Sequence, residues 1–449
     1  MGEFDVVVMG AGAAGEVVAG RLGERGLSVA VVEERLVGGE CSFYACMPSK
    51  ALLRPVELRA EALRVRGLRV AGLDVPTVLE RRDEVVHGLD DASMLPWLTE
   101  RGVTLVRGHA ELVGERRVRV GQEELLARRA VVVATGSAPF LPPVPGLVEA
   151  RPWTNVEATT ASAPPRRLLV IGGGPVAVEL ALAWAGLGSD VVLLERGERL
   201  LPREEPFAGE QVREGLAGAG VDVRLEAEAA RVTRHGAVRV ELRQGGTVEG
   251  DELLVATGRT PRTVGIGLEA VGLQAGGFLE VDESLRVGGR DWLYAVGDVN
   301  GRALLTHMGK YQARLAADAI LGCEVRLRSD GGRSPRVVFS DPQVGAVGHT
   351  LASATDAGLR ARAVDVETGG NAGGSFVGKN APGTSRLVVD EERRLVAGAT
   401  FTGAEIAEAL HAATIAVVAE VPLDDLWHAV PAFPTRSEAW LRLLEAYGL

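Results

Sequence analysis

The chain has 449 residues, enough for two or three domains of ordinary size, each with its own core. Its 49 basic residues stand against 60 acidic ones, a formal net charge of −11. A nucleic-acid-binding surface shows the opposite excess, so no nucleic-acid partner is expected. A hydrophobic share of 46% with 24% charged residues describes a globular chain and excludes a disordered one. Three cysteines exclude a disulfide-stapled secreted scaffold. No basic stretch precedes an apolar one at the start, and no apolar run is long enough to cross a bilayer. The expectation is a cytoplasmic protein in a reducing compartment, with no membrane partner.

Taken in chain order, the apolar run Phe4–Met9 reads as a buried strand. It feeds into Gly10-Ala-Gly12-Ala-Ala-Gly15, then a helical stretch to Arg25, then a second strand, Ser28–Val32, ending at Glu33. In such a unit the glycines close the turn, let backbone amides approach a pyrophosphate and let the helix pack on the strand. The helix N-terminus offers partial positive charge to the phosphates, and the acid takes a pair of ribose hydroxyls. The unit then recurs as Leu168–Ile171, Gly172-Gly-Gly174-Pro-Val-Ala177, a helix to about Leu187, and Asp190–Leu194 ending at Glu195. Each opening glycine precedes its acid by 23 residues (10 to 33, 172 to 195). Ala177 takes the place of the third glycine, which this fingerprint tolerates. One glycine motif alone is weak; the complete unit twice predicts two bound dinucleotides. Glu195 suits a free 2′-hydroxyl and repels a 2′-phosphate, which favours NADH over NADPH. Arg196 and Arg199 follow closely and could receive a phosphate.

After the first unit comes Gly38-Gly-Glu-Cys41-Ser-Phe-Tyr-Ala-Cys46-Met-Pro48-Ser-Lys50. No second Cys pair or His cluster accompanies it, so no metal site is expected. In an ideal helix, residues five apart have Cα atoms roughly 8–9 Å apart, too far to bridge. A disulfide therefore requires a bend between the two cysteines. Pro48 suits the first turn of a following helix, whose N-terminus favours a thiolate. Two buried structural cysteines are the alternative, and Cys323, outside any motif, reads as structural.

This stretch and its surroundings resemble the flavin-dependent pyridine nucleotide–disulfide oxidoreductases, which include dihydrolipoyl dehydrogenase, glutathione reductase and mercuric reductase. Further matches run along nearly the whole chain. Val131–Ser137, with Thr135 and Gly136, resembles the return into the FAD domain. Asp251–Arg262, with Gly258, resembles the exit from the nicotinamide domain. Leu293–Asp298, with Gly297, resembles the second FAD motif, where an aspartate binds the ribityl chain. Leu305-Thr-His307-Met resembles the segment near the flavin, and Val338–Gly348 the opening of the dimer-interface domain.

The resemblance implies an α/β chain with two Rossmann-like dinucleotide-binding domains, for FAD and NAD, and a C-terminal α/β dimerisation domain. The FAD domain would comprise 1–150 and 263–332, the nicotinamide domain 151–262, and the interface domain 333–449 of a homodimer. Gly10, Gly12, Gly15, Glu33, Thr135, Gly136, Gly297, Asp298 and His307 would hold FAD. Gly172, Gly174, Ala177, Glu195 and Gly258 would hold the nicotinamide nucleotide. Cys46 would lie against the flavin as the charge-transfer thiol, and Cys41 would face the substrate as the interchange thiol. Lys50, placed near the flavin, would pair with Glu179. Electrons would pass from NAD(P)H through flavin and a Cys41–Cys46 disulfide to a small-molecule disulfide.

Two departures fall on the acceptor side. Family members carry H-P-T-x-S-E near the C-terminus, its His and Glu acting from the partner subunit. Here the stretch reads Phe433-Pro-Thr-Arg-Ser-Glu438, so the glutamate remains and the histidine does not. That histidine is an acid–base group, a role typically worth about 10²–10⁴-fold in rate. His428, five residues earlier, is the candidate substitute. Glu40 stands directly before Cys41 where threonine is usual; a carboxylate turned toward Cys41 would oppose its thiolate, and one pointing away would not. The missing histidine motivates an alternative, reduction of a quinone, dye or metal ion, as in mercuric reductase. A non-catalytic flavoprotein module is a third reading, opposed by the intact cysteine stretch.

Overall fold

A computed structural model describes residues 2–378, 381 and 383–449. The chain divides into two compact units. The first comprises Met1–Pro48, Asp83–Phe140 and Arg259–Gly331; the second comprises Ser49–Arg82, Leu141–Gly258 and Gly332–Leu449. Of the segments read from sequence as nicotinamide and interface domains, 151–258 and 333–449 lie in the second unit, together with Ser49–Arg82, and 259–262 lie in the first.

In the first unit, β1 (Gly2–Met9), α1 (Ala13–Glu24) and β2 (Val29–Glu33) form the predicted strand–turn–helix–strand. β1 pairs in parallel with β2, Val6 opposite Val29 through Met9 opposite Val32. On its other side it pairs in parallel with Glu123–Val133, Val6 opposite Ala130 through Met9 opposite Val133. Val103–Arg107 extends the sheet beyond β2, and Leu293–Ala295 joins Glu123–Val133, both in parallel. These strands are nearly unbroken valine and leucine runs because both faces of the sheet are covered. Val18, Ala19 and Leu22 of α1, with Ala313, Ala316 and Ala317 of the helix Thr306–Ile320, pack one face. Leu112, Val118, Ile266, Leu268 and Trp292 pack the other. Each fully buried valine or leucine contributes about 1.5–3 kcal/mol of transfer free energy. The parallel strands end at Met9, Glu33, Val133 and Ala295. Doubly wound sheets take their ligands outside such carboxyl ends.

The second unit repeats this plan in a parallel sheet ordered Asp222–Arg224, Asp190–Leu194, Arg167–Ile171, Glu252–Val255. Its glycine helix, Pro175–Gly186, is buried almost all round, down to Trp184. The lack of a polar stripe follows from cover on two sides. Leu168, Val170 and Val191 of the sheet lie on one, and Leu52, Leu53 and Val56 on the other. An antiparallel sheet then runs Arg336–Val338, Gln343–Gly348, Leu395–Gly403, Thr384–Asp390, Ala361–Glu367. Leu410, Ala413 and Val417 of the helix Ile406–Val418 and Leu443 of Glu438–Tyr447 cover it. Among the described residues, no helix is long and apolar enough to cross a membrane.

Candidate active site

The turn after β1 needs glycine for three separate reasons. Gly10 has φ +106°, and a Cβ there would lie 2.6 Å from the Ala134 carbonyl oxygen. A Cβ at Gly15 would lie 1.9 Å from the Gly10 carbonyl oxygen, so only glycine lets α1 close onto the turn. Gly12 caps α1 in extended backbone, φ −72°, and a Cβ there would meet only Gly39 Cα, at 3.9 Å. The first amides of α1 therefore open onto a groove of about 520 Å³ lined by Gly10, Gly12, Glu33, Cys41, Thr135, Gly136, Gly297 and Asp298. Glu33 Oε2 accepts from the Ala11 amide at 2.8 Å and Oε1 from the Arg35 amide at 2.7 Å, which fixes the carboxylate at the end of β2. Amides for phosphate beside a carboxylate for ribose are the donor set of a dinucleotide site.

The cysteine segment enters this groove through Gly38 and Gly39, at φ +108° and +63°. A Cβ at Gly39 would stand 2.8 Å from Gly12 Cα, so the glycine lets the segment lie against the glycine turn after β1. Helix α2 (Gly39–Phe43) stops before Tyr44, and α3 (Cys46–Arg64) starts afresh. This break supplies the bend that five-residue spacing requires, and the two thiols hydrogen-bond. Cys46 heads α3, and its Sγ lies 3.4 Å from Thr306 Oγ1. The hydrogen bond to Cys46 and burial push the Cys41 thiol up, while Thr306 and the charge of Lys310 oppose that.

The sequence left the setting of the Glu40 side chain open. Two arginines hold its carboxylate. Arg259 Nη2 lies 2.6 Å from Oε2 and Arg262 Nη2 lies 2.7 Å from Oε1. Arg259 also donates to Ser137 Oγ at 2.6 Å, and Ser137 Oγ to Asp298 Oδ2 at 2.5 Å. Burial raises the Asp298 carboxyl, with Ser137 and Arg259 opposing. Burial works to raise Glu40 as well, but Arg259 and Arg262 outweigh it and hold the carboxyl below its ordinary 4.5. A carboxyl held low in the fold stabilises fully above its unfolded value and loses that contribution as pH falls through the folded one. Glu40→Gln is therefore expected to melt below wild type at neutral pH, the gap closing on acidification below 4.5. Melting curves across that range test it, and a pH-independent gap would rule out the charge as the cause.

In the second unit, Gly172 has φ +126°, and a Cβ there would lie 2.4 Å from the Ala256 carbonyl oxygen. Gly174 caps its helix facing open space, and Ala177 is fully buried beneath it. Glu195 lies over the turn: a Cβ at Gly173 would come within 2.7 Å of its Oε2, and Oε1 accepts from the Gly197 amide at 2.6 Å. Gly258, exposed at φ +143°, follows the strand Glu252–Val255. Lys50 and Glu179 come together, Nζ to Oε2 at 2.6 Å. The nearly buried Glu179 also accepts from the Phe339 amide at 3.0 Å, and the Lys50 ammonium sits 4.7 Å from the Phe339 ring centroid.

The remaining predicted residues are more scattered. His307 is exposed, although its neighbours Leu305 and Thr306 line the groove. Phe433 is 76% exposed, and His428 is exposed at the end of the short helix Leu423–Trp427. Glu438 is buried at the start of its helix and accepts from the Gly373 amide at 3.3 Å. Cys323 is exposed just beyond Thr306–Ile320, which removes the packing role expected of it. Sequence reading missed Ser137, Thr306, Arg259 and Arg262 as partners; the Arg-Thr-Pro-Arg stretch at 259–262 was the available signal.

Residues 4–318 match the family model described as pyridine nucleotide-disulphide oxidoreductase. Residues 334–444 match its dimerisation domain. The chain is 32% identical to dihydrolipoyl dehydrogenase of Haloferax volcanii, over 98% of this chain and 95% of that one. It is 31% identical to glutathione reductase of Burkholderia cepacia, over 98% of each. Among solved structures, LpdA from Mycobacterium tuberculosis superposes with a TM-score of 0.87 at 26% identity, covering 100% of both chains. The HOCl-induced flavoprotein disulfide reductase RclA from Escherichia coli, in its Cu(II) complex, superposes with a TM-score of 0.87 at 25% identity, covering 99% of both.

Proposed function

The chain belongs to the pyridine nucleotide–disulphide oxidoreductase family, and from that premise we propose that it is a homodimeric, cytoplasmic FAD enzyme that uses NADH to reduce a small-molecule disulfide through Cys41 and Cys46. The observation that carries this reading is the hydrogen-bonded thiol pair, with Cys41 on the wall of the groove onto which the glycine turn opens. Bound FAD supplies the two-electron link between nicotinamide and sulfur. From the reduced pair onward the chemistry belongs to the chain. The Cys41 thiolate attacks one sulfur of the acceptor; a Cys41–acceptor bond forms, the acceptor's S–S bond breaks, and one thiolate leaves. Cys46 then attacks Cys41 Sγ, reforming the internal disulfide and expelling the second thiolate. Solvent protonates both products, so NADH, a proton and one disulfide give NAD⁺ and two thiols.

Residues 1–150 and 263–332 are assigned to FAD, with Gly10, Gly12, Gly15, Glu33, Thr135, Gly136, Gly297, Asp298 and His307 as its holders. Residues 151–262 are assigned to NADH, through Gly172, Gly174, Ala177, Glu195 and Gly258. The preference for NADH rests on the carboxylate of Glu195, pinned over the turn where a 2′-phosphate would be repelled. Lys50 and Glu179 serve as a pair beside the flavin. Residues 333–449 form the interface, and the exposed apolar side chains Phe376, Val430 and Phe433 suit a covered surface. Glu438 and His428 are assigned to act across it.

A second reading, reduction of a quinone, a dye or a metal ion such as Cu(II), is favoured by one observation. Phe433 puts a ring that carries no exchangeable proton where the family carries its histidine, and these acceptors need less proton handling. Anaerobic titration with NADH and, separately, NADPH decides between the two. The disulfide reading expects a long-wavelength absorbance band after two electrons from NADH, absent in Cys46→Ala. Direct flavin bleaching without the band would overturn it and promote the second reading.

A further inference from the structure

Residue 433 supplies no histidine to Cys41, but the charge of Lys310 acts on that thiol from another direction. The helix Thr306–Ile320 brings its first turn to the cysteines through Thr306. Lys310 follows one turn later, and residues four apart share a helix face, so its exposed side chain rises on the Thr306 side. At the same level Gly309 packs on the start of α1, where an added Cβ would stand 3.4 Å from Ala14 Cβ. This close approach sets Glu16, on the first turn of α1, beside Lys310. The charge of Lys310 favours the ionised forms of both Cys41 and Glu16. The charged and titratable groups gathered here are Cys41, Cys46 and the arginine-held Glu40 from the cysteine segment, Glu16 from α1, Glu33 from β2, Asp298 with Arg259 and Arg262 on the groove wall, and Lys310 itself. Burial lifts the Glu16 carboxyl to about 7, Lys310 opposing and Glu33 reinforcing the rise.

We propose that Lys310, steadied by Glu16, is the counter-ion of the Cys41 thiolate, standing in for the histidine that position 433 lacks. The inference deepens the disulfide reading and rests on it for the identity of the attacking sulfur. The positive charge of Lys310 acts on the thiolate through its field. Lys310 is a positioning residue, acting on the reacting sulfur through charge. Glu16 is the member of the pair that takes up or releases a proton near neutrality, and on ionising it weakens the field that Cys41 feels.

The test is the alkylation of Cys41 by iodoacetamide in the reduced holoenzyme, followed by peptide mass spectrometry from about pH 6 to 9, where thiolate populations change. Lys310→Met is expected to slow alkylation about tenfold at neutral pH and to displace the rate profile upward by about one pH unit. Lys310→Arg should stay within about twofold of wild type, because the charge is kept. Glu16→Gln should react as fast as wild type or faster above neutrality. A Lys310→Met protein within about twofold of wild type would overturn the proposal. Equal slowing in Lys310→Arg would overturn it too, by showing that shape and not charge is at work. NADH-driven turnover that survives Cys41→Ser would sink the disulfide reading instead, while the alkylation comparison would still test the counter-ion.

Discussion

Cys41→Ser is expected to lower NADH-driven reduction of a small disulfide by about 10⁴-fold or more, with flavin content and melting behaviour unchanged. Serine is nearly isosteric, and Cys41 is only partly buried on the groove wall, so little packing is lost. What is lost is the nucleophile: the exchange step needs a thiolate, and an alcohol does not ionise in the neutral range. Steady-state rates with a panel of disulfides, beside the visible spectrum of the same preparation, make the measurement. Turnover within tenfold of wild type would move the chemistry away from this sulfur.

Gly12→Val is expected to fold normally and to be purified with less than about one-tenth of the wild-type flavin. The position separates binding from folding, which its neighbours cannot do. Valine at residue 10 or 15 meets a backbone carbonyl and disrupts the turn itself. At residue 12 the backbone is extended, which any residue adopts, and open space awaits the added atoms. The branched side chain then occupies the ground that a pyrophosphate must share with the first amides of α1. Circular dichroism reports the fold and the ratio of flavin to protein absorbance reports the site. Full flavin content in a folded Gly12→Val protein would remove the phosphate role from this turn.

Both dinucleotide units were legible because each is local. Strand, turn, helix, strand and acid lie within about thirty consecutive residues, and their hydrophobic period and glycine spacing need no tertiary information. The bend between Cys41 and Cys46 was legible for the same reason, as a geometric demand of their spacing. The Lys50–Glu179 pair, 129 residues apart, was reachable only through family resemblance. The setting of Glu40 was not legible. Its partners stand 219 and 222 residues away, and charge complementarity over such a span leaves no periodic trace. Thr306 and Cys46, 260 residues apart, meet for reasons of sheet topology alone. The assignment of Ser49–Arg82 to the second unit was equally invisible, since its leucines read as amphipathic helix whichever sheet they cover.

The clamp on Glu40 limits how this groove can change. A carboxylate shared by two guanidinium groups makes positions 40, 259 and 262 a single unit of charge, and removing one member strands the others in a partly buried setting. Threonine at 40, the residue usual in the family, would remove the carboxylate that Arg259 and Arg262 share, with Asp298 3.7 Å from Arg259 Nε. Loss of the carboxylate at 40 is therefore expected to be better tolerated together with a replacement at 262 than alone.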